Sequence, residues 1–79
     1  MTTYRIALSD RKRERRISAW EPSDAVRDVT GQRFLHARQD SSSWGGWPIS
    51  FEVAVRTGPT RNGETPFRNV RAYVYLEEK

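Results

Sequence analysis

The stretch ISFEVAVR, residues 49–56, alternates Ile49, Phe51, Val53 and Val55 with Ser50, Glu52, Ala54 and Arg56. Successive side chains of a β-strand point to opposite faces, so a period of two gives this segment one apolar and one polar side. An antiparallel sheet with one face packed and the other wet suits such a strand. A chain of 79 residues buries only a modest share of its surface, and this one has no cysteine with which to staple itself. The apolar sides of its strands must therefore supply the core.

Four further segments fit the same sheet. Tyr4, Ile6 and Leu8 alternate with Arg5 and Ala7, which predicts a first strand over 4–8. Arg15 to Trp20, rich in β-branched and aromatic residues, reads as a second strand forming a hairpin with the first across the polar connection SDRKRER. Arg33 to Gln39 is the third. Arg68 to Leu76 is the last, sending Val70, Ala72, Val74 and Leu76 inward and Arg71, Tyr73 and Tyr75 outward. The connection TGPTRNGETP, residues 57–66, contains Asn62-Gly63, a tight-turn signal for a long hairpin. Only EPSDAVRDVTG signals a helix: Ser23 is the expected N-cap, Asp24 suits the positive end of the dipole, Ala25, Val26 and Val29 share a face, and Gly31 is the stop. No repeat or long linker interrupts the chain. The prediction is one compact α+β domain over residues 1–79, a five-stranded antiparallel sheet with one short helix on one face in the order ββαβββ.

The segment SSSWGGWPI, residues 41–49, holds two of the three tryptophans. A ring here either seals sheet area that a two-turn helix cannot reach or stands outward as an anchor for a partner. Trp47, constrained by Pro48 and the strand that follows, is expected in the core. Trp44, behind three serines, is expected to be the anchor.

The net charge of +4 is not spread evenly. Arg5, Arg11, Lys12, Arg13, Arg15 and Arg16 face only Asp10 and Glu14 within the first 20 residues, which accounts for the whole excess, and the remainder is balanced. Twelve of the fourteen basic residues are Arg, whose planar guanidinium makes bidentate contacts with carboxylate and phosphate. The absence of cysteine and of any apolar run near the length of a membrane span predicts a cytoplasmic protein without membrane contact.

Nothing in the sequence assembles a catalytic set. His36 is the sole histidine and alternates with Phe34 and Arg38 in a strand; Asp24 and Asp28 are explained by the helix dipole and by solvent; the serine run has no His and Asp arrangement beside it. The glycines at 58 and 63 do not make a phosphate loop. A non-enzymatic protein without cofactor or metal is the expectation. The residues expected to contact a partner are Arg11, Lys12, Arg13, Arg15, Arg16, Trp44, Arg56, Arg71, Tyr73 and Tyr75.

In length and in the ββαβββ pattern carried by YRIAL, PSDAVRDVTG, ISFEVAV and VRAYVYL, the chain resembles the small phage-encoded anti-CRISPR inhibitor proteins. That resemblance implies a monomer in the host bacterial cytoplasm that binds a host protein complex, such as a CRISPR surveillance complex, and blocks its engagement of nucleic acid. It carries over no functional residue, and the basic charge departs from inhibitors that imitate nucleic acid. The second reading is a small basic module for single-stranded nucleic acid, with RKRERR tracking phosphates and Arg71, Tyr73 and Tyr75 as a stacking platform.

Overall fold

The computed structural model describes residues 1–42 and 46–77. Its strands are β1 (Thr2–Leu8), β2 (Arg15–Ala19), β3 (Phe34–Ser42), β4 (Ile49–Arg56) and β5 (Phe67–Leu76), with one helix, α1 (Pro22–Thr30), and a 3₁₀ turn at Gly31–Arg33. They form one five-stranded antiparallel sheet in the order β2-β1-β5-β4-β3. The predicted ββαβββ architecture is thus the one observed. β1 and β5 pair at its centre, with Ile6 opposite Val74 and Leu8 opposite Ala72. No helix among the described residues is long and apolar enough to cross a membrane.

The alternation sorts side chains as the sequence predicts. Tyr4, Ile6, Leu8, Phe51, Val53, Val55, Val70, Ala72 and Val74 are buried on the inner face with Ala25 and Val26 of α1. Leu76 differs: it pairs with Tyr4 beyond the end of β4 and is 37% exposed. On the outer face Ala54 is buried, because the longer side chains of His36 and Asn69 on the neighbouring strands and of Glu52 and Arg56 on its own overtop it.

Several boundaries also move. The helix begins at Pro22, with Glu21 rather than Ser23 at the N-cap and no side-chain cap. Proline lacks an N–H and its fixed φ suits the first helical position, so the helix starts there without a capping hydroxyl. Gly31, at φ 61°, ends it as expected and sends its N–H back to the Arg27 carbonyl. Trp20 lies outside β2 and is 73% exposed. β3 is longer than predicted, with register shifts between Phe34 and His36 and between Gln39 and Ser41. In the β4–β5 hairpin, Asn62 and Gly63 both have positive φ, at 53° and 77°. Arg61 and Glu64 exchange both backbone hydrogen bonds across them, each at 2.8 Å, as a two-residue turn requires.

The path of α1 explains how the inner face is closed. The chain leaves the sheet at Ala19, opposite Thr2, and rejoins it at Phe34, opposite Val55. These points are diagonal corners, so the helix crosses the sheet obliquely and leaves the other two corners to be covered otherwise. Over one of them lies Trp47, which follows Gly46 at φ 91° and packs on the core with its ring 5.8 Å from that of Tyr4. This agrees with the expectation for Trp47; Trp44 lies outside the described residues. At the other corner, beyond Leu8, lies the β1–β2 loop.

Trp47→Ala should lower stability by about half of the roughly 3 to 5 kcal/mol that a fully buried aromatic loses, whereas Trp20→Ala should change it by less than about 0.5 kcal/mol. Urea denaturation of the two variants checks this; equal losses would mean that Trp20 supports the fold as much as Trp47.

Candidate anion-binding cleft

The β1–β2 loop is fastened to the sheet at its first residues. Ser9 donates its N–H to the Arg71 carbonyl at 2.9 Å and accepts the Arg71 N–H on its Oγ at 2.9 Å, and Arg11 N–H reaches the Leu8 carbonyl at 3.1 Å. Asp10 is thereby set over the edge of the inner face. Arg33 Nη1, from the 3₁₀ turn, and Arg68 Nη2, from the start of β5, each donate to Asp10 Oδ2 at 3.2 Å. Three segments far apart in sequence meet on one carboxylate oxygen.

The Asp10 side chain is only 9% exposed. Burial alone raises a carboxyl pKa, yet the hydrogen bonds and positive charges of Arg33 and Arg68 outweigh it and hold Asp10 below its ordinary value of about 3.8. Its other oxygen, Oδ1, and Arg33 Nη2 are enclosed without a hydrogen-bond partner.

Beside this knot opens a cleft of about 550 Å³. Ile6, Leu8 and Val29 form its apolar side; Arg11, Lys12, Arg13 and Arg15 come from the loop and the start of β2, and Arg33 and Arg68 from the opposite wall. Six cations surround one carboxylate. Arg33 and Arg68 share Asp10, and none of Arg11, Lys12, Arg13 and Arg15 makes an ion pair among the described residues.

The outer face differs electrostatically. Arg71 pairs with Asp40, Arg38 with Glu52 at 3.6 Å, Arg16 with Glu77 at 3.1 Å and Arg5 with Glu14 at 3.5 Å. Arg5 also lies over the Tyr75 ring, 4.7 Å from its centroid, so that face of the ring is already covered. Tyr73 is 37% exposed and Tyr75 half-buried.

The ten residues expected to contact a partner therefore divide. Arg11, Lys12, Arg13 and Arg15 come together in the cleft. Arg16, opposite Arg5 in the sheet, belongs to the outer face with Arg71, Tyr73 and Tyr75. Arg56 is exposed at the end of β4, beside the long hairpin, and Trp44 is outside the described residues. Sequence reasoning missed Arg33, Arg68 and Asp10, which no local motif distinguishes from other charged strand and loop residues. It also missed Trp20, the more exposed of the two described tryptophans, because the β-rich stretch before it read as continuing through it.

Among the described residues no group of three His, Cys, Asp or Glu side chains converges as a metal ion would need. No protein-family model, curated protein or solved structure matches the chain.

The Asp10 knot implies an acid-sensitive contribution to stability. A carboxyl held below its unfolded pKa stabilises the fold above that unfolded value, and the contribution is lost as pH falls through the folded value. Asp10→Asn should lower stability at pH 7 and flatten its decline below about pH 4, as read from urea midpoints between pH 2.5 and 7. An unchanged acid limb would show that Arg33 and Arg68 do not bind the ionised form preferentially.

Proposed function

We propose that the chain is a non-enzymatic binding protein that docks its basic cleft on an acidic patch of a larger protein and obstructs that protein sterically. The observation that carries this reading is the contrast between two sets of cations. Arg5, Arg16, Arg38 and Arg71 of the outer face are each paired with a carboxylate, leaving Arg56 alone on that face without an ion pair among the described residues, whereas Arg11, Lys12, Arg13 and Arg15 gather in one place without any. Unpaired cations held near an apolar surface favour an anionic partner, and Arg is over-represented among residues that dominate protein interfaces.

The same contrast favours a protein partner over an extended single strand of nucleic acid. A strand lying along the outer face would meet Glu14, Asp40, Glu52 and Glu77 as well as the arginines, and it would have to displace Arg5 to stack on that face of Tyr75. Four of the unpaired cations cluster at one corner instead, while Arg27, Arg56 and Arg61 stand apart from one another. The resemblance to phage inhibitors supplies the partner class: a host complex that targets nucleic acid, whose engagement of that nucleic acid the docked protein blocks.

Capture from a bacterial lysate, with and without nuclease, tests the proposal. A stoichiometric protein should stay bound after nuclease treatment, and the double variant Arg11→Glu/Arg13→Glu, altered at exposed positions, should lose it by about tenfold or more while keeping its fold. Loss of every partner on nuclease treatment, with a steep salt dependence of binding to RNA or DNA, would replace this reading with the nucleic-acid module.

A further inference from the structure

We propose that the basic cleft is also a receptor for a compact free polyphosphate, an anion bearing two or more linked phosphate groups. This goes beyond partner docking and is measured on the isolated chain, so either reading can fail alone.

Shape is the first ground. Cations that only coat a convex loop attract polyanions diffusely, but here they flank a concavity of about 550 Å³ that also has an apolar side. That volume falls within the range of roughly 300 to 1,000 Å³ typical of small-ligand sites. In the strand order, β2 and the loop carrying Arg11, Lys12, Arg13 and Arg15 lie on one side of β1, and Arg68 of β5 and Arg33 before β3 on the other, so a ligand seated over Ile6 and Leu8 of β1 meets donors from both sides.

Charge is the second. A single carboxylate or sulfate would leave most of six cations uncompensated after Asp10 has taken its share. An inorganic triphosphate carries about four negative charges near neutral pH, close to the excess left by six cations and one carboxylate. Its oxygens also suit the planar donor pairs of Arg.

Unused donors are the third. Each guanidinium offers five N–H groups. Asp10 takes one hydrogen bond from Arg33 and one from Arg68, whose side chains are 31% and 58% exposed and keep further donors for a ligand. Asp10 is a positioning residue here: it holds the two guanidinium groups side by side so that the remaining donors need little reordering when the anion arrives.

The test is titration of the full chain with sodium triphosphate, orthophosphate and sulfate at constant ionic strength, followed by calorimetry and by amide chemical shifts. Triphosphate should bind about tenfold or more tighter than sulfate, with shifts concentrated at residues 10–15, 33 and 68. Arg68→Gln, at a side chain 58% exposed, should weaken triphosphate by about tenfold while Arg56→Gln, on the opposite face of the sheet from the cleft, leaves it within about twofold. Equal affinities for triphosphate and sulfate, or equal losses in the two variants, would overturn the proposal and reduce the effect to diffuse attraction.

Discussion

A nine-residue helix is too short for the sheet it covers, and the rest of the molecule follows from that mismatch. At 1.5 Å per residue α1 spans ~13 Å, whereas the four inter-strand gaps of a five-stranded sheet span ~19 Å. Crossing obliquely from the β2 edge to the β3 edge, it protects Ile6, Val53, Val55 and Val74 near the centre but cannot reach every corner. Two different chemistries complete the enclosure. Trp47 and Tyr4 close one side with rings, and Asp10, Arg33 and Arg68 close the other with charge.

The charged closure links stability to binding. A carboxylate shared by two arginines is well placed to hold β1, the 3₁₀ turn and β5 together, but it cannot fill the space beside it as a Leu would. The polar corner therefore remains open as a cleft, and the loop that overhangs it is the most basic stretch of the chain.

What the sequence reveals follows the range of each interaction. The period of two in ISFEVAVR and YRIAL is local, and it places the inner face of β4 and β1 correctly residue by residue. Asn62-Gly63 and Gly31 are local as well, because their positive φ values are a property of one or two residues. The start of α1 was misplaced where two local signals competed, Pro22 at the first helical position against Ser23 as a cap. The cleft was half legible. RKRERR announced one wall, but the other wall depends on Arg33 and Arg68 arriving through the diagonal helix and the central pairing of β1 with β5. Nothing in the neighbourhood of either arginine records that meeting. The ion pairs of the outer face were hidden for the same reason: Asp40 reaches Arg71 from β3, which is separated from β5 by β4, next to the register shift between Gln39 and Ser41.

The irregular β3 has a consequence of another kind. A sheet with two free margins invites further strands, from its own copies above all, because each margin carries a row of unused backbone donors and acceptors. Here one margin, β2, is only five residues long and begins with Arg15 and Arg16, and the other, β3, is broken by two shifts that spoil the regular spacing a newcomer would need. Open-ended stacking of chains, the usual hazard of a small β-rich protein made in quantity, is thereby discouraged at both ends without spending any of the scarce apolar residues on the task.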